Sequence, residues 1–151
     1  MRKSARSSTL ATVAAIPLLA FAGCADDSSV STVSMGLDEF SISLDRSSVP
    51  AGMVRFVGEN TGEDLHEFVI LRTDLALSAL PLDASGDVDE HGAGLEIIGE
   101  VEDIEPGMTG EVTLDLAAGR YVVICNITET EPDGTVEHHF GLGMATTLIA
   151  K

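Results

Sequence analysis

The chain has 151 residues and a formal net charge of −17, with 25 acidic residues against eight basic ones, enough for one modest core and one domain. All 25 acids follow Cys24, where only Arg46, Arg55, Arg72, Arg120 and Lys151 oppose them, so that part carries a net charge of −20. A field of that sign argues against nucleic acid and anionic lipid surfaces as partners and attracts basic ones, less strongly as salt rises.

Residues 1–24 read as a targeting segment. Arg2, Lys3 and Arg6 form a basic start, and Leu10 to Ala22 is an apolar run shorter than the roughly 20 residues of a membrane span. Two cleavage readings stand side by side. Leu19-Ala20-Phe21-Ala22-Gly23-Cys24 resembles a bacterial lipobox, which would make Cys24 the lipid anchor; Ala20-Phe21-Ala22 also fits an ordinary signal-peptidase site. The lipobox is the preferred reading, with residues 25–34 as a flexible polar tether and 35–151 as the folded domain. Cys125 is then the single remaining thiol of an exported protein, so no disulfide forms within the chain.

Beyond the tether the text is strand-like, punctuated by Gly, Pro, Asp and Asn. Phe40, Ile42 and Leu44 alternate with polar residues as a first half-buried strand, and Val49-Pro50-Ala51-Gly52 turns into a second, Met53 to Glu59. Asn60-Thr61-Gly62 turns toward His66, which opens the strand His66-Glu67-Phe68-Val69-Ile70-Leu71. Residues 74–94 break the rhythm: Leu75 to Leu80 suits a short helical turn, and Asp83 to Gly94 an acidic loop in which His91 is a plain surface residue. Leu95 to Ile104 returns to strand, as one bent element or two short ones. Glu105-Pro106-Gly107 is a turn, and Val112, Leu114 and Leu116 alternate before the strong strand Arg120 to Cys125. Thr128 to Glu137 reads as a solvated acidic turn around Pro132-Asp133-Gly134, and a last strand, Ala145 to Ala150, follows His139-Phe140-Gly141-Leu142-Gly143-Met144. About seven short strands at this spacing predict an all-β, Greek-key sandwich.

Four side chains at strand ends carry the chemistry: His66, Cys125, His139 and Met144. Two imidazoles, a thiolate and a weakly held thioether make the ligand set of a mononuclear blue-copper centre. Because His138 and His139 are adjacent, the second imidazole has two candidates, and the four residues between His139 and Met144 favour His139. Met53 and Met108 adjoin turns and read as packing or surface residues. No Ser-His-Asp set, phosphate loop or HExxH motif is present, so an enzyme is the weaker reading.

The order Gly-x-x-His before a strand, Gly-x-Tyr-x-x-x-Cys-Asn, then His-x4-Met and a final strand resembles the cupredoxin family over residues 35–151, and within it the sulfocyanin-like small copper proteins of bacteria and archaea. The resemblance implies one copper cycling between Cu(I) and Cu(II), with His66, Cys125 and His139 as equatorial ligands and Met144 as the axial one. It also implies that the amide of Glu67 donates to the Cys125 sulfur; a Glu67 carboxylate turned to the metal would lower its potential. Asn126 is a candidate brace for the ligand loop. The chain departs from the family in placing thirteen residues between Cys125 and His139, where a few are usual.

The implied function is one-electron transfer at an extracytoplasmic membrane face, by a lipid-anchored monomer whose acidic collar (Glu129, Glu131, Asp133, Glu137) guides a redox protein with a basic docking surface. Copper storage or delivery, and a metal-free binding module, are the competing classes. Copper enzymes such as nitrite reductases need a second copper centre, for which the chain offers no ligands.

Overall fold

The computed structural model describes residues 29–151; the expected signal segment and the Cys24 anchor lie outside the described residues. Eleven strands form two main sheets and one small hairpin. In the first sheet β1 (Ser31–Asp38) lies between β2 (Ser41–Leu44) and β4 (Gly52–Asn60), and β7 (Thr109–Leu116) closes the far edge. The second sheet runs β3 (Ser48–Val49), β11 (Ala145–Ala150), β8 (Gly119–Ile124), β5 (His66–Arg72) and β6 (Glu96–Ile104). Pairing is antiparallel except for β1 with β4 and β3 with β11. The chain crosses between the sheets repeatedly, as a Greek-key sandwich requires.

One boundary shifts. The tether expected over residues 25–34 ends sooner, because Ser31 to Ser34 already belong to β1. Val33, Met35 and Leu37 point into the core at 0%, 4% and 0% exposure, and β1 pairs in parallel with β4 from Ser31↔Val54 onward. The alternation Val33-x-Met35-x-Leu37 was the available signal, obscured by the serines around it. Phe40, expected to start a strand, lies instead in the turn before β2.

The strand period explains the core. Phe68 and Ile70 of β5, and Tyr121 and Val123 of β8, face the other sheet together with Phe56, Leu37 and Leu148. The intervening Val69, Leu71, Val122 and Ile124 face outward yet are equally buried, under Leu75, Leu77, Leu80, Val88 and Phe140. The segment after β5, with a 3-10 turn at Leu77–Ala79, therefore roofs the second sheet. This is why β8 is an unbroken apolar run rather than an alternating one. No helix among the described residues is long and apolar enough to cross a membrane.

Candidate metal centre

Strand register gathers the four expected side chains at one end of the sandwich. In the second sheet Ile124 of β8 faces Val69 of β5 on one side and Ala145 of β11 on the other. Cys125, just beyond β8, Met144, just before β11, and His66, at the start of β5, therefore meet at the same rim. The period of two turns His66 inward with Phe68 and Ile70, and Cys125 inward with Tyr121 and Val123.

The thirteen-residue spacing has a local explanation. A hairpin, β9 (Thr128–Thr130) and β10 (Val136–His138), rises from the loop and returns to its base, where His138 pairs with Thr128. It consumes residues 128–138, so only Asn126 and Ile127 separate Cys125 from the point where the chain re-enters. There the His139 amide donates to the Ile127 carbonyl at 3.0 Å. The segment expected as a solvated turn is thus a paired hairpin with its turn at Gly134. A short helix, α1 (His139–Leu142), follows. The Met144 amide then donates to the His139 carbonyl at 3.0 Å, and the Cys125 amide to the Met144 carbonyl at 3.1 Å. Main-chain bonds thus tie together the three residues of the C-terminal half.

His66, Cys125 and His139 each present a ligand atom within 4.8 Å of those of the other two, and all three, with Met144, are 0% exposed. The imidazole rings of His66 and His139 meet edge to face at 5.2 Å, and Phe40 packs on His139 at 5.3 Å. His139 Nδ1 lies 3.4 Å from Cys125 Sγ. His138 goes elsewhere: its Nδ1 is 2.8 Å from Asp87 Oδ1, and Thr128 Oγ1 donates to the same carboxylate. His91 is exposed, and so are Met53 and Met108.

Glu39, from the turn between β1 and β2, is the residue that sequence reasoning missed. Its Oε1 accepts the amides of Glu63 and Asp64 at 2.9 Å each and stands 3.1 Å from His66 Nε2. Burial pushes this carboxyl up, but the amide bonds, led by Asp64, outweigh it and hold the group below its ordinary value. An ionised Glu39 accepts the Nε2 proton, which fixes the tautomer and leaves His66 Nδ1 as a bare lone pair. That Nδ1 is buried with no hydrogen-bond partner. A Cβ at Gly62 would run into the Glu39 carboxylate and push it from its place. Only the order of the strands brings Glu39 to His66; no local pattern marks it.

The sulfur is electrically isolated. Burial pushes the Cys125 thiol up to about 11, against the opposing effect of the Glu67 and Ile127 amides; without a metal it stays protonated at neutral pH. The Glu67 amide favours the thiolate, which is the sense expected of it, and the Glu67 carboxylate accepts the Asn126 amide at 2.9 Å. Burial, then the neighbouring His66, pushes His139 down, which keeps the imidazole neutral and able to donate a lone pair. The Asn126 side chain does brace the loop: it accepts the Val88 amide at 2.8 Å and donates to the Val88 carbonyl and Glu90.

Burial raises the Glu67 carboxyl to about 7. Below its unfolded value near 4.5 the group is protonated in both states and carries no penalty; above about 7 the folded chain must ionise it. The metal-free protein should therefore lose stability as pH rises from 4.5 to 7, by about 2 kcal/mol given that water reaches part of the group. Denaturant titrations across that range should show the loss, and Glu67→Gln should flatten it.

No protein-family model matches the chain, and no curated protein does. Solved structures do. Auracyanin from the photosynthetic bacterium Roseiflexus castenholzii is 21% identical over 80% of this chain and 97% of its own, with a TM-score of 0.52. Auracyanin A, a blue copper protein from Chloroflexus aurantiacus, is 21% identical over 82% of this chain and all of its own, with a TM-score of 0.52. Rusticyanin, a copper protein, is 19% identical over 82% of this chain and 80% of its own, again at 0.52. At these identities the likeness is one of architecture. The chain has the cupredoxin fold, an all-β Greek-key sandwich with His66, Cys125, His139 and Met144 gathered at one rim.

Proposed function

We propose that the protein is a type 1 copper protein that carries single electrons and catalyses no reaction of its own. The observation that supports this most is the buried convergence of one thiol and two imidazoles, with His66 Nδ1 unpartnered. A buried polar atom without a partner costs about 1–3 kcal/mol, a cost that a metal bond removes. His66, Cys125, His139 and Met144 would hold the ion. Copper there supplies one-electron redox chemistry, and two nitrogens with sulfur suit it in both oxidation states. The chain's part is to hold the donors: Glu39 fixes His66, the hairpin base fixes His139, and the main-chain bonds fix Cys125 and Met144. Donors locked by packing move little between oxidation states, which lowers the barrier to electron exchange. Storage or delivery fits less well, because all four side chains are shut away from solvent and such a site must release its ion.

The remaining parts of the reading come from sequence and charge. Cys24 would carry a lipid that anchors the monomer at the outer face of the cell membrane, or cleavage at Ala22 would release it. A redox partner with a basic surface would dock near the hairpin. Rusticyanin and auracyanin A, copper proteins of the same fold, support the copper assignment.

The adjacent histidines test the ligand set. His139→Ala should abolish stoichiometric copper binding in equilibrium dialysis, whereas His138→Ala should leave it intact. The reverse pattern would overturn the assignment of His139.

A further inference from the structure

We infer that Asp64 and Glu129 are positioning residues for His139: through one bound water they accept the hydrogen bond of its Nε2–H and so keep Nδ1 free for the metal. Their role rests on the copper reading proposed above.

An imidazole that gives one nitrogen to a metal carries its proton on the other, and a buried N–H needs an acceptor. In His139 the nitrogen on the metal side is Nδ1, 3.4 Å from Cys125 Sγ. The other, Nε2, belongs to a side chain with 0% exposure and has no direct hydrogen-bond partner. Glu39 meets this need for His66; His139 has no such direct contact.

Two carboxylates approach the ring from different elements. Asp64 comes from the loop before β5 and Glu129 from β9, and one oxygen of each lies within 4.8 Å of the other and of a His139 ring nitrogen. With Nδ1 facing the sulfur, Nε2 is the nitrogen left for them. A water making two hydrogen bonds of about 2.9 Å bridges a gap of this kind, at nearly the enthalpy of a direct bond. Both acids are half-buried, and neither takes part in an ion pair among the described residues. Two acids brought together call for a donor, and Nε2–H is the buried donor beside them. The Asp64 main chain is pinned on both sides: its amide donates to Glu39 Oε1 at 2.9 Å, and its carbonyl accepts from Asn60 Nδ2 at 2.7 Å. One residue thereby serves both imidazoles, His66 through Glu39 and His139 through its own carboxylate.

The tautomer of His139 in the metal-free full chain tests this, read from nitrogen–proton correlation spectra of the imidazole rings. The wild type should carry the proton on Nε2. Asp64→Ala combined with Glu129→Ala should move it toward Nδ1, whereas Asp64→Asn combined with Glu129→Gln keeps acceptor oxygens and should leave it on Nε2. Glu63→Gln, an exposed acid next in sequence, should change nothing, and circular dichroism checks the folding of each variant. After copper loading, the alanine pair should bind the ion about 10- to 100-fold more weakly. The Asn/Gln pair should raise the reduction potential, by about 59 mV for each tenfold loss of preference for Cu(II) over Cu(I). A wild-type proton on Nδ1, or an unchanged tautomer in a folded alanine pair, would overturn the role of the two acids. Failure of the wild type to bind copper would instead refute the copper reading, while the metal-free tautomer still decides what holds His139.

Discussion

Cys125→Ser should eliminate the intense visible absorption of the copper-loaded protein, not merely shift it. The transition requires a thiolate bonded to copper, and Cys125 is the sole sulfur donor of that kind among the described residues. Serine fills nearly the same volume in the same buried position, so the fold should survive and the loss reads out the bond alone. A hydroxyl in that setting remains protonated and is a poor copper ligand. Affinity for Cu(I), which favours soft sulfur, should therefore fall further than affinity for Cu(II). Competition with a chromophoric chelator in each oxidation state measures both. An unchanged visible band in the serine variant would show that the thiolate lies outside the centre.

The second large effect belongs to Glu39. Glu39→Ala removes the acceptor of the His66 Nε2 proton and leaves the amides of Glu63 and Asp64 without their partner. Loss of such a supporting contact lowers metal affinity by about 10- to 100-fold. Glu39→Gln keeps an acceptor oxygen but not the charge, and should lose much less affinity. The same exchange should raise the reduction potential, because a negative charge on the His66 side favours Cu(II). Gly62→Ala, which presses on the Glu39 carboxylate, should fall between the two. Chelator competition and protein-film voltammetry give the affinities and potentials. Equal copper affinity in the wild-type and alanine proteins, with folding intact, would show that Glu39 does not position His66.

How much of this was readable beforehand follows from physical range. His66, Cys125, His139 and Met144 stand at ends of strands whose apolar patterns are local, so their convergence was legible once a sandwich was assumed. The donor chemistry was legible too, since the identity of a side chain is also what decides its softness as a ligand. Glu39 was not legible. It lies 27 residues before His66 and acts only because the turn after β1 sits beside the turn before β5, a matter of sheet order rather than of pattern. The hairpin inside the long ligand loop escaped for another reason. Its strands are three residues each and carry acidic side chains, too short and too polar for an alternation signal. The start of β1 was obscured by serines although its buried residues alternate cleanly. The outward face of β8 was ambiguous because a continuous apolar run fits any strand covered on both sides.

In the proposed centre a thiolate and two imidazoles hold one copper in a fixed, buried geometry. The visible and electron-paramagnetic-resonance spectra of the purified protein after loading with one equivalent of Cu(II) test it most directly. An intense thiolate-to-copper band with narrow copper hyperfine splitting, at a stoichiometry of one, is the predicted result. A weak visible spectrum with the wide splitting of ordinary Cu(II) sites would contradict it, and so would the absence of stoichiometric binding.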